Sequence, residues 1–145
     1  KQTFDCEITV LTSSRGALIA DSISEIDDTI IFDAPWVKTT STDDYNEIIT
    51  LLRDEAFDGA VIFTVYSQNP LPSAMMLYQA GIPLRLAYCR ENPYGLLTHW
   101  EPDKEPYEYI RHQVRRDLDL VSSIGAFTAD EQLKMNLCGR RSGQK

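Results

Sequence analysis

The sequence predicts an α/β protein of Rossmann-like type, a three-layer sandwich with a mostly parallel sheet and helices on both faces. Three observations carry the prediction. Short apolar, β-branched runs recur along the chain, helix-length segments separate them, and the strand starts lie too far apart for hairpins. Parallel crossovers remain as the connections that fit.

Residues 7–12 (EITVLT), 29–33 (TIIFD), 59–65 (GAVIFTV) and 83–88 (PLRLAY) read as buried strands, each bounded by Ser, Pro, Gly or Asp. In residues 42–57 the side chains of Tyr45, Ile48, Leu52 and Ala56 recur at helical spacing. Ser41 or Thr42 fits the N-cap there, and Asp43 and Asp44 suit the positive end of the dipole. Pro70 and Pro72 fit a first helical turn, Ser73 to Ala80 continues it, and Gly81 followed by Pro83 stops it. The Met75-Met76-Leu77 run reads as core. Residues 89–106 read as a long loop with a short strand at 96–100. A last helix is predicted over 107–124, with Ile110, Val114, Leu118 and Val121 on its apolar stripe and His112 and Arg116 together on another face.

A chain of 145 residues suits one core, so residues 1–130 are expected to form one domain and the polar residues 131–145 a flexible tail. Lys1-Gln2-Thr3-Phe4 reads as the last turn of a helix entering a strand, the pattern of a piece of a longer chain. The net charge of -8 argues against nucleic acid as a partner. That charge is uneven, however: residues 1–60 hold 13 acidic and 4 basic side chains, residues 85–145 hold 9 and 10. The second half therefore offers a cationic surface to an anionic small molecule. Cys6, Cys89 and Cys138 match neither a zinc spacing nor a disulfide framework, which leads to a cytoplasmic expectation, and no apolar run approaches the length that spans a bilayer.

No dinucleotide, phosphate-loop, zinc-protease or hydrolase motif is present. The cluster Arg85, Arg90, Arg111, His112, Arg115 and Arg116 is expected near the carboxyl end of the last strand, where open α/β sheets bind ligands and where guanidinium groups grip phosphates and carboxylates. The plainer alternative is a solvated helix face, with Arg111, Arg115 and Arg116 paired to Glu108, Asp117 and Asp119. Ser67, Gln68 and Asn69 follow a strand and precede a helix, a placement that suits either sugar hydroxyls or ordinary turn chemistry. Ser13-Ser14-Arg15-Gly16 offers a strand-to-helix anion site. Trp36 and Trp100 read as sugar-stacking platforms or packing anchors.

Several of these stretches resemble glycosyltransferase family 9, the heptosyltransferase-like enzymes of lipopolysaccharide assembly. They are EITVLTSSRGALIA, FDGAVIFTVYSQNPLPSAMMLYQAGIPLRLAYCRENPYGLLTHW and RHQVRRDLDLVSSIGA, with Gly81-Ile82-Pro83-Leu84-Arg85 and the His112/Arg116 pair the most specific parts. The resemblance implies a GT-B enzyme that transfers a heptose-like sugar from a nucleotide-sugar to a glycan or lipid-linked acceptor, inverting and metal-independent, with no cofactor. This chain would be its acceptor-side domain. The family's first strand and helix and general-base Asp would precede Lys1, and the donor domain would follow Ile124, so the piece alone is expected to be inactive. The acceptor contacts implied are Ser67, Gln68, Asn69, Arg85, Arg90, His112 and Arg116. The setting implied is cytoplasmic, extending to the inner face of a membrane. Two alternatives stand beside it: a non-catalytic flavodoxin-like domain binding an anionic metabolite, and an inactive piece whose exposed sheet surface pairs with a second copy.

Overall fold

The computed structural model describes residues 1, 3–128 and 130–132. The tail expected at 131–145 and Cys138 lie almost wholly outside them. The chain is mixed α/β, and all of its strand pairings are parallel. They form two short sheets where the sequence predicts a single one, and the chain groups into two compact units. Apolar runs show that strands exist, whereas the choice of neighbour is a non-local decision that no run encodes.

The first unit is Lys1–Ser41 with the described residues from Thr128 onward. Strand β1 (Thr9–Thr12) leads through helix α1 (Ser14–Ala20) to β2 (Asp28–Ile31), which pairs with β1 from Thr9↔Asp28 to Thr12↔Ile31. Gly16 lies so close to β1 that a Cβ there would sit 2.0 Å from Thr12 Oγ1. Thr3 and Phe4 form a bend where the sequence suggests the end of a helix.

The second unit is Thr42–Phe127. It contains α2 (Thr42–Glu55), β3 (Gly59–Ile62), α3 (Leu71–Gln79), β4 (Leu84–Cys89), a 3₁₀ turn at Tyr94–Leu96, β5 (His99–Pro102) and α4 (Gln113–Ser122). The sheet order is β3-β4-β5. Central β4 is buried along its length after Leu84, and its side chains alternate between two covered faces. Leu86 and Tyr88 pack on Leu120 of α4, while Arg85 lies on the opposite face with its guanidinium 5.4 Å from the Tyr78 ring of α3. Helices thus cover both faces of this sheet. Gly81 closes α3 at φ +72°, a conformation costly for any residue with a Cβ.

Strands β1 to β3 are shorter than their apolar runs, β3 ending at Ile62 rather than Val65, and two later boundaries shift for a visible reason. The predicted strand at 96–100 forms three residues later, because 94–96 is spent on the 3₁₀ turn that carries the chain back for a parallel return. The last helix starts at Gln113, not 107: residues 103–112 form a turn whose polar groups bond each other and the sheet. Among the described residues no helix is long and apolar enough to cross a membrane.

Candidate functional site at the carboxyl edge of the second sheet

Parallel pairing brings the carboxyl ends of β3, β4 and β5 to one edge, so the segments leaving them, from Phe63, Arg90 and Asp103, become neighbours. Hydrogen bonds tie the three together. Arg90 Nη2 donates to the carbonyls of Tyr66 and of Glu105, the latter at 2.6 Å. Asn69 Nδ2 donates to Glu91 Oε1 at 3.1 Å, and Arg116 Nε at the start of α4 donates to Thr64 O at 2.9 Å. Ser67, Gln68, Asn69, Arg90 and His112 are all exposed on this edge. His112 is the N-cap of α4, its Nδ1 accepting from Val114 N at 3.3 Å; it stands one turn before Arg116, whose N–H donates to His112 O at 2.9 Å, but it is exposed where Arg116 is buried.

Beneath the edge lies a buried ion network. Arg116 is 1% exposed and engages Asp103 with both terminal nitrogens at 2.9 Å and Glu105 Oε2 at 3.2 Å. Arg111 pairs with Glu105 Oε1 and Asp119 Oδ2, each at 2.8 Å. The two guanidinium groups stack with two tyrosines in the order Arg116, Tyr88, Arg111, Tyr109, at 4.5, 5.1 and 4.9 Å to the ring centres. Arg111 Nη2, inside that stack, is buried with no hydrogen-bond partner among the described residues. Burial opposes ionisation of Asp103 and Glu105, but the hydrogen bonds and charge of Arg116 and Arg111 outweigh it and hold both carboxyls below the usual range. Burial pushes the Tyr88 hydroxyl, the Cys89 thiol and the Asp117 carboxyl up.

The expected cationic cluster is therefore divided. Arg85 is the second residue of β4 and lies at the amino end of the sheet, about 16 Å of strand from Arg90. Its three guanidinium nitrogens donate to the carbonyls of Leu96, Ile82 and Gly95 at 2.7, 2.5 and 2.9 Å, pinning the crossover into β5 to the turn that enters β4. Arg111 and Arg116 are spent on internal carboxylates, and Arg115 sits 3.6 Å from Asp119. The plainer helix-face reading holds for Arg115 with Asp119; Arg111 also meets Asp119, but it precedes the helix and its other carboxylate is the buried Glu105. For Arg116 it fails, because the carboxylates it meets, Asp103 and Glu105, come from the turn before the helix.

Arg90 differs from these. Among the described residues only its Nη2 has hydrogen-bond partners, which leaves Nε and Nη1 available on an exposed side chain, with Asp103 Oδ2 at 3.8 Å as its nearest countercharge. The anion site expected at Ser13–Gly16 is filled by the chain itself, since Asp33 accepts from Ser14 N at 3.1 Å and from Ser14 Oγ. Trp100 lies on β5 and Trp36 in a turn of the first unit. An open concavity along α2 is lined by Asp43, Glu47, Asp54 and Glu55 with Asn46 and Thr50, a surface that repels anions. No group of three His, Cys, Asp or Glu side chains among the described residues converges as metal ligands.

Sequence reasoning missed Asp103 and Glu105, which assemble the edge, and Tyr107 and Tyr109, which flank it. The signal lay in the Asp-x-Glu-Pro-Tyr-x-Tyr run, three carboxylate or proline positions set beside two tyrosines and followed by arginines. Comparison with protein-family models, with curated proteins and with solved structures finds no match.

Proposed function

We propose that the chain is the acceptor-binding, Rossmann-like domain of a GT-B glycosyltransferase resembling family 9, and that its carboxyl edge holds an anionic saccharide. The observation that carries the reading is Arg90, a guanidinium with free donors in the middle of an exposed hydrogen-bonding edge formed by Ser67, Gln68, Asn69 and His112. The sequence blocks that resemble the family supply the reaction class. Arg85 and Arg116 serve this reading as braces: one fixes the crossover, and the other fixes the segment leaving β3 to the turn leaving β5.

The reaction such a domain serves is inverting transfer. A base takes the proton of an acceptor hydroxyl, the oxygen attacks the anomeric carbon, and the nucleotide diphosphate leaves with the bonding pair. In an enzyme of this type the base and the donor site come from other segments, and this edge orients the acceptor, the contribution that converts an encounter into a positioned attack. Isothermal titration of the protein with glucose 6-phosphate, ADP and flavin mononucleotide tests it. Weak binding of the sugar phosphate that is lost in Arg90→Ala, with no nucleotide or flavin binding, is the expected result. Tight flavin or nucleotide binding would replace this reading with that of a metabolite-binding module.

A further inference from the structure

Tyr107 sits at the apex of a closed turn, in which Glu108 N donates to Lys104 O at 3.0 Å and Lys104 Nζ lies 3.7 Å from Glu108 Oε2. Tyr107 is 85% exposed, unusual for so large a side chain, yet one side of its ring is already supported: the Arg90 guanidinium carbon lies 5.7 Å from the ring centre. That guanidinium is itself fixed, through Nη2, to the carbonyls of Glu105 and Tyr66. Glu105 is 1% exposed, and its carboxylate also anchors Arg111, on whose face Tyr109 stacks at 4.9 Å. One buried residue thus holds both arginines that back the two exposed tyrosines. The ring of Tyr107 is supported beneath and open to water above.

We infer that Tyr107 is a stacking platform for a pyranose ring, the second contact, beside Arg90, that selects a sugar over a simple anion. The inference rests on the proposed function above and deepens it. A pyranose has a C–H face and a hydroxylated edge. The face matches the open side of the Tyr107 ring, the hydroxyls match Ser67, Gln68 and Asn69, which Tyr66 O joins to Arg90, and an anionic substituent matches the free Nε and Nη1 of Arg90. Because Arg90 and Tyr107 are held by the same turn, the anion and ring contacts are organised before the ligand arrives, which limits the ordering cost of binding.

The test measures dissociation constants of glucose 6-phosphate and of inorganic phosphate by NMR titration, for the protein and for Tyr107→Ala, Tyr107→Phe and Arg90→Ala. The expected pattern is a preference for the sugar phosphate that falls about threefold to tenfold in Tyr107→Ala, with phosphate affinity unchanged. Tyr107→Phe keeps the preference, and Arg90→Ala weakens both ligands. A preference that survives Tyr107→Ala, or that Tyr107→Phe abolishes as fully as Ala does, overturns the platform while leaving the edge as an anion site. If the unaltered protein binds neither compound, the functional reading fails and the platform with it. The ring's exposure means that its removal leaves the fold in place, so each outcome reads on binding.

Discussion

Replacing Arg116 with Met keeps most of the side-chain volume and removes one buried charge. The carboxylates left behind set the cost. Asp103 loses its bidentate pair at 2.9 Å and keeps the Glu105 N–H at 3.2 Å and Arg90 at 3.8 Å, while Glu105 loses one partner and keeps Arg111 at 2.8 Å. Thr64 O loses its 2.9 Å donor, and the Tyr88 ring loses a guanidinium at 4.5 Å. Breaking one partner out of a buried ion pair costs about 3–5 kcal/mol, because the other partner stays desolvated. A Trp36→Phe background leaves Trp100, on β5, as the fluorescent reporter of the second unit in urea. With a urea slope of about 1–3 kcal/mol/M, the midpoint falls by a molar or more. Asp103→Asn combined with Arg116→Met recovers at least about 1 kcal/mol of that loss, since the two groups couple directly. A cost below about 1 kcal/mol, typical of a surface pair, would mean that the Arg116 network is not desolvated.

Other expectations follow from the same geometry. Asp103 and Glu105 have carboxyls depressed in the folded chain, so the stability they confer is fully present above the unfolded carboxyl range near pH 4 and is lost as pH falls through their folded values. Acid titration of Trp100 fluorescence should show the second unit loosening below about pH 4, and the midpoint should move to higher pH in Arg116→Met. Arg85→Met removes three charged hydrogen bonds, two to crossover carbonyls and one to Ile82 O ahead of β4, and should destabilise the second unit by about 2–3 kcal/mol in the urea assay, while leaving glucose 6-phosphate affinity per folded molecule unchanged. Gly16→Ala drives a methyl into Thr12 Oγ1 at 2.0 Å and should cost the first unit about 1–3 kcal/mol by hydrogen exchange, with part regained in the double variant that adds Thr12→Ala.

Much of the fold was legible because its signals are local. The apolar runs of β1 to β4 and the Ile48/Leu52 spacing of α2 mark their elements, as do the prolines and Gly81 that bracket α3. What escaped was long-range. The separation of β1-β2 from β3-β4-β5 depends on pairing that no run encodes. The start of α4 shifted from 107 to 113 because Glu105 bonds Arg111 N and the Arg111 side chain, holding residues 105–111 in a turn despite their helical spacing. The site was half legible. Exposed Ser67 to Asn69 and Arg90 follow from counting residues past a strand end. A list of arginines, by contrast, cannot show that Arg85 stands at the strand's amino end or that Arg116 is neutralised by Asp103 and Glu105, because countercharges meet only after folding.

The proposed ligand is an anionic saccharide on the edge between the segments leaving β3, β4 and β5. Its most direct test is the map of amide shift changes when glucose 6-phosphate is added to the ¹⁵N-labelled protein. Changes confined to residues 66–69, Arg90, Tyr107 and His112, and abolished by Arg90→Ala, are expected. Changes clustered around Arg85 and the 3₁₀ turn at the opposite end of the sheet, or along α2, would contradict it.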